Sequence, residues 1–421
     1  MLLCCVHEGS VGSTANQART RTFALNDPAN VLYSKDVVTF AQSMNLYPKT
    51  APAAQFSFSD VYDPVSFTGA RLAEARVFNL FNAVSDGAFN GHLDYAQGYN
   101  LTNRMSLFAK ASMKLTVNDT MRLMRTHFEG TWFDTTGTMR DDVGAGSGHS
   151  AYRWRPLIWD APATYTPGAG KSTRFVNERT IGVQQTAWNF VASSRAWLPA
   201  PFQAIMYWGP DDSSTAVRVP VWGGSTSIPL TFADPVGQEP AAAVEGAPVA
   251  DARVMNLDSA FWVWNLVANM CYGSRYNATY PIVLAEIIKY QDIFFANVAA
   301  EEKTLVTLYD TDPVAAVKQA TKFVVATGDK MTSDWRTFWM SLFSRFRDGF
   351  TITAPVKRQC KAGERVNCTS RSIPIADAQG YNPEWYGRII ADGVNEAHYG
   401  VPATAAADER KMRALDKRHP R

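Results

Sequence analysis

The sequence predicts an α+β fold with a helical C-terminal section, and three observations carry that prediction. Helical periodicity dominates the first third and the last part of the chain. Alternating, strand-like segments gather between residues 180 and 222. With 421 residues, 46% of them hydrophobic and 19% charged, the chain can bury a sizeable core without disulfide or metal staples.

Element by element, the polar turn HEGSVGST leads into NQARTRTFAL, which alternates like a strand, and Asn26-Asp27-Pro28 marks a turn. Helices are predicted over Asp36–Met44, about Gly69–Ser85, and Ser106–Arg125. In the second of these, Leu72, Ala75, Val77, Leu80 and Phe81 fall at helical spacing. Residues 130–172 are rich in Gly, Thr, Ser and Trp with little period, a long loop region of the kind that carries function. Thr180–Ser193, AIMYWG (204–209) and AVRVPVW (216–222) read as strands, the last two joined by a hairpin loop at Pro210–Ser214. Residues 236–253 read as an exposed Ala/Pro/Gly-rich insertion. Four helices follow, over Asp258–Cys271, Pro281–Tyr309, Asp312–Thr327 and Asp334–Phe346. An irregular tail from Thr351 ends in DERKMRALDKRHPR, a solvated, frayed helix.

Composition narrows the function classes. Lys and Arg total 41 against 39 Asp and Glu, so no general field favours nucleic acid as the partner. The most apolar stretches are short or interrupted by Glu286, Lys289 and Asp292, so no membrane span is expected. MLLCCV is too brief for the apolar region of a signal peptide, and the compartment stays open. With no CxxC or HExxH and six scattered His, a zinc site is not expected. Of five cysteines, Cys271 reads as a core residue, and Cys360 with Cys368 could close a small loop disulfide. Dinucleotide, P-loop and GxSxG patterns are absent.

Three clusters bear chemistry. Asn16 sits between a Gly/Ser turn and a strand, where a fixed, uncharged amide can serve as an oxyanion donor; a turn-capping role is the ordinary reading. His127, Glu129 and Asp134 could supply acid/base groups, but their spacing fits no metal template, and a loop ordered by its own hydrogen bonds is the expectation. Arg179 stands at a strand start, either as a clamp for a carboxylate or in an ion pair with Glu178 or Asp160.

Taken in order, NQARTRTF (16–23), LNDP (25–28), MRLMRTHFEGTWFDTT (121–136), GAGSGHSAYRWRPLIW (144–159), ERTIGVQQTAWNFVASSRAWLP (178–199) and FWVWNLVANMCYGSRYN (261–277) resemble the N-terminal-nucleophile cysteine dipeptidases, to which secernins are distantly related. The resemblance implies an αββα sandwich and hydrolysis of dipeptides through a cysteine acyl-enzyme, with the cysteine's own α-amino group as base and no cofactor. By motif position it implies Asn16 near the oxyanion hole and Arg179 beside the nucleophile. In such enzymes the catalytic Cys opens a Cys-Thr strand followed by an Asp-Gly-Ser turn, well ahead of the segment resembling Asn16–Phe23. Here CVHEGSVGST stands in its place, so the expectation is a sandwich incomplete at its N-terminus. Cys4 or Cys5 is then not expected to act as nucleophile, and the chain is expected to be inactive or to be a peptide-binding pseudoenzyme.

The expected organisation is a hydrolase domain over 1–255, a helical section over 256–350 and a tail over 351–421. The partner that the resemblance implies is a dipeptide substrate. An incomplete sandwich is expected to leave Val183, Trp188, Phe190, Ile205 or Tyr207 partly uncovered, which leaves a homo-oligomer open.

Overall fold

The computed structural model describes residues 2–4, 9–136, 158–160, 174–233, 244–272, 275–352, 356–357, 372–373 and 376–378. The chain divides into two compact units, Met1–Ser344 and Arg345–Arg421. The architecture is α+β, with long helices and small sheets.

In the first unit β1 (Leu2–Cys4) pairs antiparallel with β3 (Val31–Tyr33), and β2 (Ser10–Gly12) with β4 (Phe108–Lys110). Between them come α1 (Val37–Ser43), α2 (Phe58–Tyr62), a π-helical segment Gly69–Glu74 running directly into α3 (Ala75–Val84), and the single turn α4 (Leu93–Ala96). Then follow α5 (Val117–Leu123), the ladder of β5 (Ile158–Asp160) with β6 (Arg174–Val176), and the sheet β7 (Trp188–Ser194), β8 (Ala204–Pro210), β9 (Val219–Trp222). Three helices close the unit: α6 (Ala260–Cys271), α7 (Tyr276–Tyr309) and α8 (Pro313–Arg345). In the second unit β10 (Phe350–Ile352) pairs with β13 (Ala376–Ala378), and β11 (Val356–Lys357) with β12 (Ser372–Ile373). Cys360, Cys368 and the charged terminal segment lie outside the described residues.

Several local expectations are corrected. Residues 13–22 form no strand; they are held by side-chain bonds described below. Ser106–Arg125 is not one helix. Its start is β4, and α5 begins at a reciprocal cap in which Thr116 Oγ1 accepts from Asp119 N and Asp119 accepts from Thr116 N. The alternating run from Thr180 becomes strand only at Trp188. The two final helices are one, α8. Gly328 lies within it where a neighbouring loop comes close: a Cβ there would sit 2.3 Å from Pro229 Cγ.

Why the helices pack as they do follows from their stripes. Val283, Ile287, Phe294, Val298 and Leu305 of α7, and Ala316, Ala320 and Val324 of α8, recur at four- and seven-residue spacing and are buried. Part of that stripe covers one face of the three-stranded sheet, formed by Val191, Ile205, Tyr207 and Trp222. Each large side chain buried this way contributes roughly 1.5–3 kcal/mol. Glu302 on α7 lies within this layer, accepting from Trp222 Nε1 at 3.1 Å and pairing with Arg195.

The register separates residues expected to share a face. Phe190 stands opposite Trp208, and Val191 opposite Tyr207. Ile205 and Tyr207 are therefore on the helix-covered side and buried, contrary to the expectation of exposure, while Trp188 (57% exposed) and Phe190 (44%) stack on the other side with centroids 5.8 Å apart. Val183 is half-buried.

The hairpin loop after β8 departs furthest from its sequence. A polar run reads as solvated, yet Asp211 through Val219 are all buried. Most of its polar side chains find partners in the interior, although Asp212 Oδ2 and Arg218 Nη1 have none among the described residues. Asp212 Oδ1 accepts from Ser214 N and Oγ, Ser213 Oγ donates to Met124 O at 2.7 Å, and Arg218 Nε donates to Asn189 Oδ1 at 2.5 Å. Asn189 Nδ2 in turn donates to the carbonyls of Gly209 and Asp211.

Candidate active site

The segment after β2 is fixed by Arg19, whose side chain is almost wholly buried. Its Nε donates to Glu74 at 3.1 Å, Nη1 to the carbonyls of Ser13 and Leu107, and Nη2 to that of Ser106. Glu74, 1% exposed, also accepts from Tyr95 OH at 3.1 Å. Burial and the adjoining Glu74 carboxylate push the Tyr95 hydroxyl well above its usual range, so it stays a donor. This buried network ties residues 13–19 to the end of the π-helical segment.

Beside it, Gln17 Nε2 donates to Asp63 O and Ala18 N to Asp63 Oδ2, both closely. Gly69 makes this approach feasible, since a Cβ there would lie 2.0 Å from Gln17 Oε1. A π-helical turn at such a place is common at functional sites.

The result is a polar pocket of about 260 Å³ whose walls include Asn16, Asp63, Gly69, Arg76 and Arg179. Asn16 and Arg179, both expected from the sequence as site residues, thus line one pocket. Asn16 Oδ1 accepts from Arg76 Nη2 at 2.7 Å, which leaves its Nδ2 as the group to donate. Arg179 does not pair with Glu178: Arg71 takes that carboxylate in a two-pronged bond, Nε at 3.0 Å and Nη2 at 2.5 Å. Arg71 is itself held beneath Trp132, 4.6 Å from the ring centre. Arg179 Nε is buried without a hydrogen-bond partner among the described residues. A pocket with a fixed amide donor and two guanidinium groups is suited to the oxygens of a carboxylate or a polarised carbonyl. Arg76 and Asp63 carry no motif of their own in the sequence, so sequence reasoning missed them.

The cluster at 127–134 lies elsewhere and behaves as an ordered loop. Glu129 accepts from Thr126 Oγ1 at 2.7 Å and from His127 N at 2.9 Å, and its other oxygen is 3.3 Å from His127 Nδ1. Burial opposes ionisation of Glu129, but the hydrogen bond and charge of His127 and the Thr126 hydroxyl outweigh it and hold the carboxyl down at about 2. Asp134 accepts from Gly130 N and Thr136 N. No group of three or more His, Cys, Asp or Glu is placed to hold a metal ion among the described residues.

Of the cysteines, Cys271 is free and buried, its thiol pushed up to about 12 by burial, which makes it inert. Cys4 closes β1 opposite Val31, and Cys5 lies outside the described residues.

A search of curated proteins finds no match to the chain. The sequence profile of peptidase family C69 matches residues 5–286, well over half of the chain, and the chain belongs to that family.

Proposed function

We propose that this member of peptidase family C69 recognises dipeptides in the pocket around Asn16 and Arg179. In this reading the Asn16 amide meets the carbonyl oxygen at which negative charge develops, and Arg179 organises the charged surroundings of the reacting group. The observation that supports it is the convergence of these two residues, remote in sequence, on one polar pocket with Arg76 fixing the amide.

The fold reading belongs with it. We infer one half of an αββα sandwich: helices α7 and α8 cover one face of the β7–β9 sheet, and the other face presents Trp188 and Phe190, the kind of apolar surface a second sheet covers. A hydrolase domain over 1–255 with helices packed on it over 256–350 is the corresponding organisation.

Hydrolysis through an acyl-enzyme requires a cysteine whose α-amino group is free to act as base, and we propose that neither Cys4 nor Cys5 fills this role. Freeing the amino group of Cys4 would remove Leu2 and Leu3, and with them two of the three residue pairs joining β1 to β3. The test is a dipeptide hydrolysis assay on the full chain with iodoacetamide, alongside Cys4→Ala and Cys5→Ala. The expected result is that neither substitution lowers turnover from its parent level. Thiol-sensitive hydrolysis that disappears in either variant would show that this cysteine is the nucleophile.

A further inference from the structure

A second cavity, of about 730 Å³, opens between α3, α5, the loop 125–136 and the first turns of α7. That is the size of a small-molecule site. Arg125 lies in its wall and is only 6% exposed. Among the described residues its buried Nε and Nη2 have no hydrogen-bond partner, and no carboxylate forms an ion pair with it. Burial pulls its pKa down to about 10, so the group is still a cation at neutral pH. Proteins rarely leave a buried charge uncompensated, because the desolvation cost is recovered only through a close counter-charge.

The other walls describe what accompanies that counter-charge. Tyr276 and Tyr280 stack with ring centres 4.9 Å apart, and Leu80, Leu284 and Ile288 supply apolar surface. Glu129, the acidic group in the wall, is already engaged by Thr126 and His127. The cavity also adjoins the candidate active site along one helix. Arg76 lines the first pocket and Asn79, Leu80 and Ala83 the second, on one face of α3. From Arg76 to Leu80 the helix rises about 6 Å, close to two residues of extended peptide.

We propose that this cavity is a carboxylate-binding site, in which Arg125 takes the terminal carboxylate of an amino-acid-derived ligand and the two tyrosines with Leu284 hold its apolar side chain. That the ligand is a peptide end rests on the dipeptide reading of the neighbouring pocket; the need for a carboxylate does not.

Calorimetric titration of the full chain with three probes tests it: L-phenylalanine, N-acetyl-L-phenylalanine and L-phenylalaninamide. The first two are expected to bind, and the amide, which lacks the carboxylate, to bind at least tenfold more weakly. Arg125→Met is expected to abolish binding of N-acetyl-L-phenylalanine while keeping or raising the melting temperature without ligand, because it removes an unpaired buried charge. Leu284→Trp, which fills the cavity and keeps the guanidinium, is a second route to the same loss. Binding of N-acetyl-L-phenylalanine that persists in both variants, equal binding of the amide, or no binding by the parent chain overturns the proposal. Asn16→Ala separates the two readings, since it is expected to leave N-acetyl-L-phenylalanine binding unchanged even if dipeptide recognition at the first pocket fails.

Discussion

Asp211→Asn is expected to stabilise the protein at pH 8 by up to about 4 kcal/mol, an effect that vanishes near pH 3. Asp211 is 3% exposed, and burial, reinforced by the adjacent Asp212, raises its carboxyl from the usual 3.8 to about 7. Asn265 Nδ2 offsets this only weakly, at 3.3 Å. Because the folded carboxyl holds its proton more tightly than the unfolded one, the stabilisation is complete below the unfolded pKa. It is lost as pH rises through the folded one, between about 4 and 7. Asparagine keeps the shape without the charge and suits the left-handed backbone at this position, where φ is 65°. Urea unfolding of both proteins at pH 4, 6 and 8 measures it. A stability difference that stays constant across this range would show that Asp211 is ionised throughout.

Arg19→Met is expected to lose about 3–5 kcal/mol, since it leaves Glu74 charged and buried and strips donors from the carbonyls of Ser13, Ser106 and Leu107. The partner substitution Glu74→Leu, combined with it, is expected to recover part of the loss by removing the stranded charge. Chemical denaturation of the two single variants and the double variant forms the cycle. If Arg19→Met costs less than 1 kcal/mol, the pair is not what fixes residues 13–19. The consequence for function is direct: these residues carry Asn16 and Gln17 into the candidate active site.

What the sequence discloses and what it hides divide along physical lines. The α+β class, helix α1, helices α6 and α7 and the three strands of the main sheet are legible, because local periodicity reports burial on one face. The family is legible as well: the ordered motifs resemble the family whose profile matches residues 5–286. Asn16 and Arg179 were recognisable as candidates from those motifs, but their shared pocket depends on the Arg71–Glu178 and Arg19–Glu74 ties, each spanning more than fifty residues. The burial of Asp211–Thr215 had no local signal at all. Its polar side chains match those of a solvated turn, and only distant partners such as Met124 O, Asn265 and the strand residue Asn189 distinguish the two. The break expected between Thr327 and Asp334 is absent, and Gly328 within that stretch admits Pro229 and Phe232 against α8, a contact that local sequence does not reveal. Arg125, in turn, stands out only through the lack of a counter-charge among the described residues.

The claim on which the functional account rests is that a dipeptide binds at the pocket of Asn16 and Arg179. Titration calorimetry of a dipeptide panel against the full chain, Arg179→Met and Asn16→Ala tests it most directly, with thermal melting as the control for folding. The account predicts saturable binding by the full chain, weakened at least tenfold in Arg179→Met and measurably in Asn16→Ala. Equal affinity in all three proteins, or no binding by the full chain, would contradict it.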